Sequence, residues 1–540
     1  MKRHLLILLL SILSTAATIA QTQYFFYVQL NNKQNSPYSL SQPEQYLSQR
    51  AINRRVAYGI ACDSTDLPVN PAYIAEIAVK GVKVHNRSKW LNGITVRMAD
   101  TSIVSQIRAL PFVKWAKYTG QMNSAALPAP RKAKFGSEAY NYGTAATQIN
   151  QLNGSALHNA GYTGKDIHIA VLDAGFNNVN TNPGFDSLRL QGRLLGTKDF
   201  AEPNSNIYAL DAHGANVLSI MTGNLPGQYL GSAPHASYWL LRTEYAPSEY
   251  MMELDFWVSA IEFADSAGVD VVNSSLGYTT FDDAAMNFTY ADMNGKTARA
   301  SIAAEMAAKK GIVVCNSAGN DGSRTWKYIG SPADADGIFA IGANTSTGTP
   351  SSFTSYGPSY DGRVKPEISG MGSSTAIINT SGLTSTGNGT SYSSPLMCGM
   401  LACLLQYCKA EYPNISPDEF YDLVLHSSSL YNAPTNRMGY GITNFQQAMT
   451  TLAAFSRNDR TSENKLKFAY LADKNVIRIE NPENDKNVIV NIFDSNGKRF
   501  FSNTVSENLF EIDSSQLPSG IYFLNINSDI KRYSGKVIIQ

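Results

Sequence analysis

The sequence predicts an α/β protein built on a parallel sheet flanked by helices, with a small α+β domain before it and a β-sandwich after it. Three observations carry this. Between about Thr147 and Phe455, strand-like and helix-like segments alternate. The strand-like runs there are continuously apolar rather than alternating, as expected of strands covered on both faces. On either side of that region the pattern changes: mixed elements precede it, and short alternating strands follow it.

The chain has 540 residues, 43% hydrophobic and 16% charged, which is ample for a large buried core. Net charge is +1 and the basic residues are scattered, so nothing suggests a nucleic-acid partner. Lys2 and Arg3, the apolar run Leu5 to Leu13 and the exit Thr18-Ile19-Ala20 read as a signal peptide over 1–20. A membrane anchor is the alternative, but this stretch is short of the about 20 apolar residues a span needs.

The next zone, 21–119, opens with the alternating strand Tyr24 to Leu30. A helix is expected from Pro43 to Tyr58, strands near Val82-Lys83-Val84 and Gly93 to Val96, a helix over Ser102 to Leu110, and a last strand from Val113 to Tyr118. That order, β-α-β-β-α-β with an extra helix, fits a ferredoxin-like unit. Residues 120–146 read as a linker, with Pro128, Pro130 and the basic cluster Arg131-Lys132-Ala133-Lys134. That cluster reads as a solvated patch, with a processing site as the alternative.

Within 147–455 the expected strands are Ile167 to Leu172, Ser237 to Leu241, Val269 to Asn273 and Gly311 to Cys315, with helices such as Phe256 to Ala267 and Ala300 to Lys310 between them. After a short linker at 456–460, residues 461–540 show short strands at Val476, Val488 and Gly520, and the hairpin-type turn Asp494-Ser495-Asn496-Gly497. A small β-sandwich is expected there. The five cysteines are odd in number and form no disulfide framework. Cys398, Cys403 and Cys408 recur at steps of five, about 140° apart on a helix, so they read as buried apolar residues rather than ligands.

In an open α/β sheet, chemistry gathers at the C-terminal strand ends. Asp173 ends the first core strand, where it can orient a histidine, hold a cation or simply make a turn. His213 precedes Gly214 and an apolar helix start, and a helix-capping or surface histidine is the alternative. Nearby Asp211 reads as a cap for that helix. Asn320 sits in the glycine-rich loop after Cys315 and reads as a turn residue or as an amide donor aimed into a cleft. Ser391 lies in Gly387-Asn388-Gly389-Thr390-Ser391, leading into an all-apolar helix, with Pro395 placed in its first turn. A serine at the mouth of a buried helix gains from the dipole and the free N–H groups.

Taken together and in this order, Val171-Leu172-Asp173-Ala174-Gly175, His213-Gly214-Ala215-Asn216, Ser317-Ala318-Gly319-Asn320 and Gly389-Thr390-Ser391-Tyr392-Ser393-Ser394-Pro395 resemble the subtilisin-like serine proteases. The resemblance implies a subtilisin-like sheet and a secreted serine endopeptidase made as a zymogen. It assigns Asp173, His213 and Ser391 as catalytic triad and Asn320 to the oxyanion hole. Ser275, Leu276, Gly277, Ser317, Ala318 and Gly319 become the substrate-binding residues. Asn216 and Tyr392 depart from the family pattern, where histidine and methionine are usual. The loop Thr222 to Gly231 lacks the carboxylates of a family calcium site, so no cofactor is assigned and calcium stays open. Tyr278 to Lys296 reads as an insertion.

The 21–119 zone resembles the propeptides of Bacteroidetes-type subtilases through Tyr46 to Ile52 and Asp66 to Asn70, implying a cleft inhibitor; a permanent accessory domain is the alternative. The 461–540 zone resembles the type IX secretion sorting domain through Asn481-Pro482, Asp494 to Lys498, Leu517 to Tyr522 and Lys536 to Ile539. It implies the type IX machinery as partner and a secreted or surface-attached product, with a carbohydrate- or protein-binding sandwich as the alternative. The expected partners are therefore protein or peptide substrates, the chain's own propeptide and that machinery. A binding module on an inactive scaffold, or an esterase, is the competing function.

Overall fold

The computed structural model describes residues 22–122, 141–413, 415–460, 467–471, 474–480, 488–494, 498–505, 509–527 and 532–539. The export signal expected at 1–20, the cluster Arg131-Lys132-Ala133-Lys134, Asn481-Pro482 and the turn residues Ser495-Asn496-Gly497 lie outside them. The chain divides into two compact units, Met1–Thr451 and Leu452–Gln540.

The first unit opens with β1 (Gln23–Leu30), α1 (Gln49–Ala57), α2 (Pro71–Ala78), β2 (Lys83–Ser88), β3 (Gly93–Met98), α3 (Val104–Arg108) and β4 (Val113–Met122). The four strands form one antiparallel sheet in the order β2-β3-β1-β4, the arrangement expected of a ferredoxin-like unit. The alternation in β1 has a physical use. Phe26, Val28 and Leu30 pack into the domain's own core with Ile77 and Ile107, whereas Phe25 joins the core of the large domain beside Phe256.

The single helix expected from Pro43 to Tyr58 is two pieces, a 3-10 turn at Pro43–Gln45 and then α1. The break falls at Ser48, whose hydroxyl caps α1 by accepting from Ala51 N. Its own N–H donates to Ser266 O at 2.8 Å, tying the break to the large domain. The helix α2 was not placed by the sequence pattern. It starts with Asn70 as cap and Pro71 at its first position.

The large domain runs α4 (Ala146–Gln151), α5 (Ser155–Asn159), β5 (His168–Asp173), α6 (Asp186–Leu190), β6 (Leu194–Asp199), α7 (His213–Thr222), the short pair β7 (Asn224–Leu225) and β8 (Tyr229–Leu230), β9 (Ser237–Arg242), α8 (Met252–Ala267), β10 (Val271–Ser274) and α9 (Arg299–Lys309). It continues through β11 (Val313–Ser317), β12 (Phe339–Asn344), β13 (Ile368–Met371), the hairpin β14 (Thr375–Ile378) and β15 (Thr384–Gly387), α10 (Thr390–Glu411), α11 (Pro417–His426) and α12 (Phe445–Arg460).

Seven strands form the central sheet in the order β13-β12-β11-β10-β5-β9-β6, and every pairing is parallel. Parallel strands require covered faces, and the helices supply them: α7 and α10 contact each other, and α10 lies along β10 to β13, while α8 and α9 pack together against the sheet. The N-terminal sheet rests on α8 through β1 and β2. From Thr390 to Cys408, α10 is buried at nearly every position, as its all-round apolar sequence requires. Cys398, Cys403 and Cys408 are among these buried residues, and all five cysteines are free.

In the second unit, β16 (Lys467–Leu471), β17 (Val476–Glu480), β18 (Val488–Asp494), β19 (Arg499–Val505), β20 (Leu509–Asp513), β21 (Gly520–Asn527) and β22 (Arg532–Ile539) form two antiparallel sheets. Their orders are β16-β17-β20 and β19-β18-β21-β22. Ile477 and Ile479 from one sheet share a core with Val490, Ile492 and Leu524 from the other, which makes the unit a sandwich.

Candidate active site

Of the expected chemistry residues, Asp173 and Asn320 lie at or just beyond the C-terminal ends of central strands, and His213 and Ser391 lie at the N-termini of α7 and α10. Asp173 closes β5 and is fully buried. Its Oδ1 accepts from His213 Nδ1 at 2.8 Å and from Ala174 N at 2.8 Å. Its Oδ2 has no partner among the described residues, so the imidazole is the main recipient of this buried charge. The contact fixes the tautomer with Nδ1 protonated and leaves Nε2 free.

His213 is the first residue of α7. Ala212, not Asp211 as expected, is the N-cap of that helix; Asp211, one residue earlier, accepts from His213 N at 2.7 Å and turns the chain into it. The helix reaches Asp173 only because Gly214 has no side chain. A Cβ there would lie 2.4 Å from Gly175 O and 2.8 Å from Asp173 Cβ. Burial works against a charged imidazole, but the charge and hydrogen bond of Asp173, with Asp211 and Glu244 behind them, outweigh it and push the pKa up to about 9.

Ser391 occupies the second position of α10. Its N–H is among the helix-initial donors with no intrahelical acceptor. Pro395 is not in the first turn as expected but in the second. The physical reason it is tolerated is visible one turn back. Lacking an N–H, Pro395 cannot bond the carbonyl of Ser391, and Ser275 Oγ donates to that carbonyl instead, at 2.9 Å. The Ser391 hydroxyl donates to Ser275 O at 3.4 Å and makes no hydrogen bond to His213. The ring of Tyr392, the next residue, stands 6.3 Å from the imidazole between centroids.

Asn320 follows β11 and is held by its carbonyl. Oδ1 accepts from Thr390 N at 2.9 Å and from Thr390 Oγ1 at 3.0 Å. The amide nitrogen is thereby left unbonded, beside the N-terminus of α10. Gly389, which carries the chain into that helix, adopts φ 150°, and its missing side chain keeps the approach to Asn320 Nδ2 open.

Of the expected substrate-binding residues, Ser275 is buried, Leu276 is half-buried and Gly277 is exposed. Leu276 O accepts from Asn316 Nδ2 at 3.0 Å and from Ser317 Oγ at 3.4 Å, which joins this segment to the end of β11. Ala318 packs with Ile329, Ala333 and Ala340 in a small apolar cluster. Ser275, Leu276 and Gly277 line a cavity that Ser317, Ala318 and Gly319 do not.

That cavity, about 670 Å³, also exposes His213 and a set of carboxylates that sequence reasoning missed: Glu244, Glu249, Glu253 and Asp282. Oxygens of Glu244, Glu249 and Glu253 lie within 4.8 Å of one another. Burial pushes Glu244 up to about 7. Burial, then the charges of Glu244 and Asp282, push Glu249 up to about 8. The signal available in the sequence was position, since Glu244 and Glu249 follow the C-terminal end of β9.

Residues 164–441 match the Subtilase family, 25–134 the Peptidase S8 propeptide domain of Bacteroidota, and 473–540 the Secretion system C-terminal sorting domain. Among curated proteins, Subtilisin NAT of Bacillus subtilis subsp. natto and Subtilisin E of Bacillus subtilis (strain 168) are each 27% identical over 375 residues, 69% of this chain and 84% of theirs. Serine protease AprX of the latter organism is 26% identical over 319 residues, 53% of this chain and 67% of its own. Among solved structures, the self-cleaved protease domain of PatA aligns with 54% of this chain and 98% of its own at 23% identity and a TM-score of 0.43. The MycP3 protease from the type VII (ESX-3) secretion system aligns with 57% and 88% at 20% identity and a TM-score of 0.44.

Proposed function

Since the chain belongs to the subtilase family, and is a serine endopeptidase with a propeptide and a secretion sorting domain, we propose that Asp173, His213 and Ser391 are its catalytic triad. The sorting domain makes the product extracellular or attached to the outer cell surface. The observation that carries the triad is the 2.8 Å Asp173–His213 bond beside the mouth of α10.

In this reading a rotation about the Ser391 side chain moves its hydroxyl from Ser275 O to His213 Nε2. The imidazole takes the proton as the oxygen attacks the scissile carbonyl, and Asp173 stabilises the imidazolium. The tetrahedral oxyanion is held by Asn320 Nδ2 and Ser391 N–H. His213 then gives the proton to the leaving amine, and the acyl-enzyme ester on Ser391 forms. Water, deprotonated by the same imidazole, hydrolyses that ester and returns the enzyme.

The substrate lies extended along Ser275-Leu276-Gly277 and pairs as an added strand, which limits cleavage to unfolded or loop segments. The N-terminal domain acts as cleft inhibitor. In support, its last strand reaches the cleft's rim: a Cβ on Gly120 of β4 would lie 2.6 Å from Tyr250 Cβ, next to Glu249.

A serine-directed fluorophosphonate tests the reading. Labelling at Ser391 that disappears in Ser391→Ala and His213→Ala supports it. A processed protein that resists labelling and cleaves no denatured protein overturns it in favour of a binding scaffold.

A further inference from the structure

The cavity beside His213 is acidic without compensation. Asp211, Glu244, Glu249, Glu253 and Asp282 stand in its wall, and among the described residues no Lys or Arg does. Four of the acids accept hydrogen bonds within the fold, Asp211 from His213 N and Asp282 from Glu249 N among them. Glu253 accepts from Tyr245 N and Tyr250 N, at 2.7 and 3.2 Å. Glu244 accepts from the Tyr278 and Thr243 hydroxyls, at 2.7 and 2.8 Å.

Glu249 differs. Its carboxylate has no hydrogen bond and no cationic partner among the described residues, although its backbone is clamped to Asp282 by N–H and carbonyl bonds of 3.2 and 2.9 Å. Beside it, the Ser248 hydroxyl is shut off from solvent and has no hydrogen-bond partner among the described residues. These groups share one space with the catalytic imidazole and with the segment Ser275 to Gly277 along which substrate is proposed to run. A peptide in that groove necessarily passes a side chain over them.

We propose that this cavity is a specificity subsite for a cationic side chain, lysine or arginine, of the peptide substrate near the scissile bond. Glu249 and Asp282 are its charge-bearing contacts, with the Ser248 hydroxyl as a further acceptor. The inference rests on the triad reading for where substrate lies. The raised pKa values of Glu249 and Glu253 agree with it: burial first, and then the like charges crowded there, disfavour their ionised forms. An entering ammonium or guanidinium supplies the missing charge and forms charge-assisted bonds in a partly desolvated space.

The test is a peptide series in which Lys, Arg or Gln occupies each position within four residues of the cleaved bond. At pH 8.5, kcat/KM for Lys or Arg is expected to exceed that for Gln at least tenfold at one position. That ratio falls toward unity in Glu249→Gln/Asp282→Asn, and Glu249→Lys reverses it in favour of Gln. The same pairs binding to Ser391→Ala, followed by fluorescence anisotropy, are expected to show the same order of preference. A ratio near one in active protein overturns the subsite, as does a preference indifferent to these substitutions. Loss of cleavage with binding preference retained would instead sink the triad reading and leave the subsite standing.

Discussion

Ser275 and Ser391 are bonded to each other twice, the hydroxyl of Ser275 donating to Ser391 O at 2.9 Å and the hydroxyl of Ser391 donating to Ser275 O at 3.4 Å. The first bond exists because Pro395 withdraws the helical N–H that Ser391 O would otherwise accept. The proline thus couples the end of β10 to the mouth of α10, the two elements whose register the proposed triad depends on.

Ser275→Ala removes that hydroxyl and leaves the Ser391 carbonyl unsatisfied. A single such bond is worth about 1 kcal/mol net, so the melting temperature drops by roughly 2 °C in a domain of this size. The catalytic effect exceeds the stability effect, because a small displacement of the nucleophile is costly: kcat falls roughly tenfold with KM little changed. Steady-state kinetics on a small peptide substrate beside thermal melting of the same protein check both. An unaltered kcat would mean that α10 holds its place without Ser275.

The sheet, the triad candidates and the buried helix were legible because each is encoded locally. A β-branched apolar run ending in Asp173, and a glycine-rich turn into an apolar helix, leave few alternatives. What stayed hidden depends on convergence. Glu244, Glu249 and Glu253 meet through the loop after β9, whose path no periodicity records. Arg54 and Arg55 are both buried, because α1 docks on α8 of the large domain, a contact that no local pattern records. The position of Pro395 was misjudged because the helix begins at Thr390, earlier than the proline suggested.

Asn320→Ala deletes the side-chain donor proposed for the oxyanion hole. Removing such a donor costs about 10²–10³ in kcat, a figure taken from a related protease. Asn320→Asp should be no better, since a carboxylate cannot donate. Because Thr390 N and Oγ1 both lean on Asn320 Oδ1, Asn320→Ala also loosens the first turn of α10. Binding of a ground-state peptide to Asn320→Ala/Ser391→Ala, compared with Ser391→Ala, separates the two effects: unchanged affinity assigns the kcat loss to the transition state.

The acid limb of the pH–rate profile should be alkaline. His213 acts as a base only when neutral, and its surroundings push its pKa up to about 9. Below that value the active fraction grows about tenfold per pH unit and levels off above it. Asp211 and Glu244 both contribute to the elevation, so Glu244→Gln is expected to move the limb to lower pH. The stability sign is opposite. A raised histidine pKa adds stability that is full below the unfolded value of about 6.5 and is lost as pH rises through about 9. Rate profiles and denaturant midpoints between pH 6 and 10 should therefore move in opposite directions.

Asp265 decides how firmly the N-terminal domain is held. Its carboxylate, fully buried on α8, receives Arg54 at 2.6 Å, Arg55 at 2.9 Å and Lys89 at 3.0 Å, all from the N-terminal domain. These cations hold the Asp265 acid below its ordinary range even though burial opposes it. Asp265→Asn keeps the shape but strands up to three buried cations with one fewer anion, and breaking one side of a buried pair costs about 3–5 kcal/mol. Arg55 retains Asp66 at 2.9 Å, so Arg54 and Lys89 bear most of the loss. The loss falls on the contact between the domains rather than on the central sheet. Protease digestion of the full chain checks this, because residues 22–122 should become susceptible in Asp265→Asn while the large domain stays resistant. Equal resistance in both proteins would show that the apolar contact of Phe25 and Trp90 with α8 suffices to hold the domain in place.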